Sequence, residues 1–130
     1  MIIDTSVLIA ILQLEPEAVR MLAAIKKADR RAMSAATLVE AGIVVETRSG
    51  EQGARDLDAA VARMRIEIVP LTANHAAHAR RAFRRYGKGQ HLARLNLGDC
   101  FAYALAKASG EPLLFKGEDF SKTDIAVADY

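Results

Sequence analysis

The amino-acid sequence predicts a three-layer α/β/α fold, in which helices cover both faces of a short parallel sheet. Short apolar segments that fit strands alternate with longer segments whose apolar residues recur at helical spacing. This alternation favours a parallel sheet, since parallel strands are joined through helices. Ligands bind such sheets beyond the carboxyl ends of the strands. Functional residues are therefore expected just after the strands.

Apolar spacing and capping residues predict the elements in order. The expected strands are Met1–Asp4, Arg31–Met33, Ile66–Pro70, Pro112–Phe115 and a last one at Ile125–Val127. The expected helices are Ser6–Leu12, Pro16–Ala28, Ser34–Arg48, Gln52–Arg65, Thr72–Tyr86 and Asn96–Ser109. Within Thr72–Tyr86, the expected buried face is Ala76, Ala79, Phe83 and Tyr86. No repeat or long linker divides the chain, so residues 1–130 are predicted to form one domain.

Charge is unevenly distributed, although the formal net charge is only +2. No Asp or Glu occurs from Thr72 to Gly98, a stretch that holds all 3 histidines and several basic residues. Like-charged residues repeat there at four-residue spacing, which is slightly unfavourable in a helix, at Arg80, Arg81, Arg84 and Arg85. These arginines indicate either a surface for phosphates or an acidic partner, or an ordinary solvated helix face.

Export and membrane insertion are not expected. Unbroken apolar runs such as Val7–Leu12 are far shorter than the roughly 18 residues of a membrane span. No basic stretch precedes the first apolar segment, so a signal peptide is not expected. The single cysteine, Cys100, fits the reducing cytoplasm. We therefore expect a cytoplasmic protein.

Three aspartates follow the predicted strands. Asp4 ends the first strand, and Asp119 and Asp124 come after the strand that ends at Phe115. Asp4 could instead cap the next helix, and the other two could be solvated loop residues. Their positions nevertheless match the edge of the sheet where a ligand is expected.

Two further acids lie on predicted helices. Glu40 shares a helical face with Ile43 and Val44, where a carboxylate is costly unless it is paired or bound to a cation. Alternatively, Glu40 lies at the edge of the apolar stripe and extends into water. Asp99 lies three residues after Asn96, which is the spacing of a capping box.

Together these acids indicate a cation site. Carboxylates from separate segments repel each other unless a cation lies among them, and oxygen ligands favour Mg²⁺ or Mn²⁺. Zinc is not supported, because Cys100 stands alone and His75 and His78 form only a bare pair. Neither a G-x-S-x-G turn nor a phosphate-binding loop is present.

The sequence resembles PIN domains of the VapC toxin type along its whole length. Four motifs occur in the family's order: Met1–Ala10 around Asp4, Ser34–Ala41 around Glu40, Asn96–Ala106 around Asp99, and Leu113–Phe120 around Asp119. Arg85–Gly89 is also similar to VapC-type toxins. One position departs from the pattern, because Gly117 stands where many PIN domains carry a fourth acid. Either Asp119 or Asp124 replaces that acid, or a fourth carboxylate is dispensable; we favour Asp119.

The resemblance implies a Mg²⁺-dependent endoribonuclease toxin, with Mn²⁺ as a possible substitute. Asp4 and Asp99 are the expected metal ligands, Glu40 and Asp119 complete the catalytic acids, and Ser6 and Asp124 support them. The resemblance also implies a homodimer that a VapB-type antitoxin inhibits. The four arginines would then contact RNA or the antitoxin.

Two other functions match parts of the sequence. Asp4-Thr5-Ser6 could be the catalytic turn of an aspartic protease half, but that family has Gly after Asp-Thr and an all-β pattern. A catalytically inactive PIN-like module that binds RNA or protein is the stronger alternative. The intact set of acids argues against that module.

Overall fold

The structure is a computed structural model that describes residues 1–130. A four-stranded parallel sheet lies at its centre. The strands are β1 (Ile2–Ile3), β2 (Ala32–Ser34), β3 (Glu67–Val69) and β4 (Leu113–Leu114). Their order in the sheet is β3-β2-β1-β4, and all neighbours are parallel. The expected last strand is reduced to a single parallel bridge between Val127 and Leu113.

Five α-helices connect and cover the strands. They are α1 (Thr5–Leu12), α2 (Ala18–Lys27), α3 (Ala35–Arg63), α4 (Ala73–Tyr86) and α5 (Leu97–Ser109), and a 3₁₀ turn follows at Phe120–Lys122. Pro16 lies just before α2 and not in its first turn. None of the helices has both the length and the apolar content needed to cross a membrane.

The two helices predicted between Ser34 and Arg65 are the two halves of α3. Gly50 breaks α3 with a non-helical backbone (φ 57°, ψ −150°), a region that favours glycine. A side chain at Gly53 would overlap the carbonyl of Val45, so the second half packs closely against the first. The break therefore creates a helical hairpin.

Alternate residues of each strand enter two separate hydrophobic cores. Ile2, Ala32 and Leu113 pack with residues of α4 and α5 on one face of the sheet. On the other face, their neighbours Ile3, Met33 and Leu114 pack with residues of α1, α2 and α3. This alternation follows from the two-residue period of a strand and confirms the predicted three-layer α/β/α fold.

The predicted buried face of α4 is wrong at two of its four positions. His75 and Ala82 are buried, whereas Phe83 is 40% exposed and Ala76 is exposed as well. Ala76 and Phe83 line an open apolar groove of about 560 Å³ between α4 and α5. Helical periodicity identified apolar residues but could not distinguish this groove from the core.

The strand order places a topological switch point between β1 and β4. The chain runs from β1 to β2 and β3 on one side, and β4 then returns to the other side of β1. Crevices at such points are the usual binding sites of parallel sheets. Asp4 follows β1 directly at this point, and its backbone N–H donates to the carbonyl of Leu114 at 3.0 Å.

Candidate active site

Asp4 is the N-cap residue of α1 and lies at the carboxyl end of β1. Its Oδ2 accepts hydrogen bonds from the N–H of Ser6 (3.0 Å) and from the Ser6 hydroxyl (2.6 Å). The Ser6 Oγ accepts a further bond from the N–H of Lys116 at 2.9 Å, in the loop after β4. The Oδ1 of Asp4 has no hydrogen-bond partner within the protein. Capping therefore uses one oxygen and leaves the other for a ligand.

Asp99, at the start of α5, also uses one carboxylate oxygen for capping and leaves the other unbound. It forms a capping box with Asn96, whose side chain accepts from the Asp99 N–H at 2.9 Å. In return, the Oδ2 of Asp99 accepts from the Asn96 N–H at 2.7 Å. No bond engages the Oδ1 of Asp99. The capping role and a ligand role are therefore compatible.

Glu40 lies at the edge of the buried stripe of α3. That stripe runs through Thr37 and Val45, whereas Ile43, expected on the Glu40 face, is 63% exposed. The interpretation that this face is the buried one is therefore wrong. The Glu40 carboxyl group is held across the gap to α1, where the Thr5 hydroxyl donates to its Oε2 at 2.8 Å.

Three of the acids have raised pKa values, and burial is the largest cause for each. Burial raises the pKa of Asp4, and the charge of Asp119 adds to the rise. Burial also raises the pKa of Glu40, with a further contribution from the charge of Asp4. For Asp99, burial and the charges of Asp4, Asp119 and Glu40 outweigh the Asn96 hydrogen bond and raise the pKa to about 7. The four acids thus act on one another across one site.

Asp119 is the exposed member of this group. It directly precedes the 3₁₀ turn, which is anchored by Phe120 packing edge-on against Phe115, with 5.0 Å between ring centroids. Gly117 has φ 106°, a left-handed conformation that favours glycine over an acidic residue. This conformation accounts for the departure from the family motif at Gly117.

The side chains fit a hydrated Mg²⁺ better than a metal enclosed by protein ligands. No group of three or more His, Cys, Asp or Glu side chains is arranged to hold an ion. Mg²⁺ usually keeps several waters and binds through one or two carboxylates. The two unengaged Oδ1 atoms, on Asp4 and Asp99, meet that requirement. Burial and mutual repulsion further favour an added positive charge.

Asp124 lies in a different environment from the four acids. Its carboxylate accepts from the Tyr103 hydroxyl at 2.7 Å and the Lys107 ammonium at 2.9 Å, and Arg85 approaches it at 3.6 Å. Burial opposes ionisation, but the bonds from Tyr103 and Lys107 outweigh it and lower the pKa of Asp124 to about 2. Asp124 therefore ties the C-terminal segment to α4 and α5, and it makes no contact with the acid cluster.

The four arginines of α4 do not form a uniform surface. Arg80 and Arg84 line the apolar groove between α4 and α5. Arg85 pairs with Asp124 and lies 4.9 Å over the Tyr86 ring. Arg81 is exposed, lies 3.1 Å from the Nδ1 of His78 and has no carboxylate partner.

The loop after α4 carries further basic residues directly before α5. A parallel bridge between Gly87 and Leu95 closes the loop. The side chains of Lys88, His91 and Arg94 are exposed, and neither Lys88 nor Arg94 forms an ion pair. The loop therefore presents unpaired positive charge close, along the chain, to Asp99.

Three groups of this site are not predicted by the sequence motifs. Thr5 binds Glu40, the backbone of Lys116 binds Ser6, and Gly98 packs against Glu40. The hydroxyl of Thr5, next to Asp4, was the one available signal. The contacts of Lys116 and Gly98 join segments that are distant along the chain, so no local sequence pattern predicts them.

Known proteins resemble this chain in both sequence and structure. The PIN domain family model matches residues 1–126. Over 127 residues the chain is 53% identical to "Ribonuclease VapC30" of Mycobacterium tuberculosis, covering 98% of this chain and 97% of that protein. It is also 53% identical to "Ribonuclease VapC" of Mycolicibacterium smegmatis, covering 98% of each.

Solved structures agree with the fold. Mycobacterium tuberculosis VapC20, described as a sarcin–ricin loop cleaving toxin, superposes with a TM-score of 0.76 at 19% identity, covering 96% of this chain and 95% of that one. VapBC2 of Rickettsia felis, bound to promoter DNA, gives a TM-score of 0.77 at 18% identity, covering 98% and 96%. The chain therefore belongs to the PIN domain family and, within that family, to the VapC proteins.

Proposed function

We propose that residues 1–130 form one nuclease domain, a metal-dependent endoribonuclease toxin held inactive by a cognate antitoxin. The observation that carries this proposal is the cluster of Asp4, Glu40, Asp99 and Asp119 at the switch point of the sheet. The ribonuclease names of relatives at 53% identity support the same activity. Because the proposed substrate is RNA, we expect the protein to act in the cytoplasm.

Asp4 and Asp99 would hold Mg²⁺, or Mn²⁺ in its place, through their unengaged Oδ1 atoms. The ion would supply positive charge to the scissile phosphate and acidify water. Asp119, exposed on its loop, would complete the acidic surface directly or through water. Ser6 would orient Asp4, because its hydroxyl bridges that carboxylate and the Lys116 N–H.

Glu40 is the proposed general base. Its carboxyl group is half-buried, and burial raises its pKa towards the range in which a carboxylate accepts a proton effectively at neutral pH. The Thr5 hydroxyl binds its Oε2, which leaves Oε1 without a hydrogen bond from the protein. A proton from attacking water would pass to Glu40.

The RNA would approach across the basic face beside the cluster. Lys88 and Arg94 lie on the loop that leads into α5, and both are exposed without an ion pair. Arg81, on α4, is exposed and has no carboxylate partner. Such residues bind phosphates without regard to sequence, so they position RNA and do not select it.

The antitoxin and a second copy of the chain would cover exposed apolar surface. One such surface is the α4–α5 groove, which includes Phe83 and Leu97 (69% exposed). Leu14, in the turn after α1, is also exposed (87%), as is Val19 on α2 (76%). Contiguous apolar surface of this kind usually marks an interface. A homodimer in solution is the expected state, and light scattering of the purified toxin measures it.

A catalytically inactive PIN-like module is the second candidate. The observation in its favour is that no three potential ligands are arranged to hold a metal. Such a module would bind RNA or protein through the same basic and apolar surfaces but would leave the RNA intact.

A nuclease assay distinguishes the two candidates. Brief exposure of total RNA to the protein with Mg²⁺ should produce discrete new ends, and EDTA should prevent them. Asp99→Asn should lose at least ~100-fold of this activity, the scale seen when metal ligation or its support is damaged. Asp129→Asn is the matched control, because Asp129 is exposed and lies outside the cluster. Intact RNA with the wild type, or full cleavage by Asp99→Asn, would contradict the proposed function.

A further inference from the structure

Gly98 stands at a position where the backbone does not require glycine. It is the second residue of α5, and its φ is not in the left-handed region, unlike those of Gly50, Gly110 and Gly117. Glycine is disfavoured relative to alanine inside a helix, because it loses more conformational freedom on folding. The reason for glycine at this position must therefore be a neighbouring group.

That neighbouring group is the carboxyl end of Glu40. A Cβ built on Gly98 would overlap all three atoms of the Glu40 carboxyl group. On the opposite side, the Thr5 hydroxyl donates to Glu40 Oε2 at 2.8 Å. The carboxyl group is thus confined between α1 and the first turn of α5, one residue from Asp99.

We propose that Gly98 is a positioning residue: its missing side chain is the space that the Glu40 carboxyl group occupies beside Asp99, and this placement strengthens cation binding. The metal part of the inference rests on the proposed function. Gly98 itself touches neither the cation nor the substrate. It acts only through Glu40.

An added methyl group should displace Glu40 without unfolding the protein. The overlapping atoms are the far end of a flexible side chain, which can rotate away, and alanine favours the helix more than glycine does. Rotation would break the Thr5 bond and move one negative charge away from Asp99. Gly98→Ala should therefore melt no lower than the wild type and yet bind a cation less well.

Gly42→Ala provides a matched control. Gly42 is also a helical glycine, and a Cβ there would meet Glu46 at 3.8 Å and Leu57 at 4.0 Å, which are ordinary contacts. In a calorimetric titration with Mn²⁺, Gly98→Ala should bind at least ~10-fold more weakly than the wild type, the loss typical when a group supporting a metal site moves. Gly42→Ala should bind as the wild type does. Equal Mn²⁺ affinity in Gly98→Ala and Gly42→Ala would overturn the proposal.

A double-mutant cycle tests whether Gly98 acts through Glu40. Glu40→Ala removes the carboxyl group that an added methyl would displace. Adding Gly98→Ala to Glu40→Ala should therefore cause no further loss of Mn²⁺ affinity. Two losses that simply add would show that Gly98 acts by another route and would overturn the proposal.

A crystal structure of metal-free Gly98→Ala separates this inference from the nuclease proposal. If the wild type binds no Mn²⁺, the metal-dependent function fails, but the position of Glu40 can still be measured. The Glu40 carboxyl group should lie away from α5, with the Thr5 hydrogen bond lost. An unchanged Glu40, with α5 undisturbed, would refute the positioning role.

Discussion

Asp99→Asn should stabilise the metal-free protein at neutral and higher pH while weakening its binding of Mg²⁺. Asn retains an oxygen that can accept from the Asn96 N–H, so the capping box of α5 can persist. What disappears is a carboxylate whose pKa is raised to about 7 by burial and by neighbouring acids. The substitution therefore removes a destabilising charge without removing the cap.

The sign and size of this effect follow from proton linkage. Because the folded protein holds the Asp99 proton more tightly than the unfolded chain does, the contribution of Asp99 to wild-type stability is most favourable below pH 4 and falls until about pH 7. A rise in pKa from 3.8 to about 7 corresponds to roughly 4 kcal/mol. Asp99 is partly exposed, so solvent screening reduces this to about 2 kcal/mol. For a chain of this size, that is a change in melting temperature of roughly 8 °C.

Thermal unfolding in EDTA at several pH values measures the prediction. Asp99→Asn and the wild type should melt at similar temperatures near pH 4, and the variant should melt higher at pH 8. Asp129→Asn, an exposed substitution outside the cluster, should follow the wild type throughout. Parallel pH profiles for Asp99→Asn and the wild type would refute the reasoning, since folding would then not raise the pKa of Asp99.

Three further predictions concern the cation, the RNA surface and the C-terminal segment. Millimolar Mg²⁺ should raise the melting temperature of the wild type more than that of Asp4→Asn, and equal shifts would contradict a shared site. Replacing Lys88 and Arg94 with Gln should weaken RNA binding and reduce the slope of log affinity against log salt by about 1.4, roughly 0.7 for each lost contact with single-stranded RNA. The maximal rate should stay within several-fold, and an unchanged slope would contradict this prediction. Asp124→Asn should cost about 1 kcal/mol in urea unfolding at pH 7, because the pKa of Asp124 is lowered to about 2 and its stabilisation is present above pH 4. Cleavage by Asp124→Asn should not change.

The sequence predicted the parts of this protein that depend on local pattern. Asp4 at the end of an apolar strand, and Asn96 and Asp99 at capping-box spacing, appear in the structure as predicted. Each depends on residues close together in the chain, where two-residue and helical periodicities are reliable guides. The α/β/α layering followed from the same alternation.

What the sequence could not supply was the environment of each side chain. Asp119 and Asp124 both follow β4, yet only Asp124 forms hydrogen bonds with Tyr103 and Lys107. These two residues lie on α5, which packs against the C-terminal segment. Similarly, Phe83 has the spacing of a core residue but lines a groove that α5 leaves open. Such outcomes depend on how helices pack, which one-dimensional periodicity does not encode.

Asp4 and Asp99 show why a capping explanation and a functional explanation need not compete. Each aspartate accepts backbone N–H bonds at a helix start through Oδ2, and these bonds fix the side chain before any ligand arrives. A ligand that binds Oδ1 then loses less side-chain entropy than it would on a mobile residue. Each aspartate also lies at the positive end of a helix, which partly offsets the repulsion between carboxylates. The capping bonds thus partly stabilise the clustered carboxylates when no metal is bound. They also orient the oxygens that would bind a metal ion.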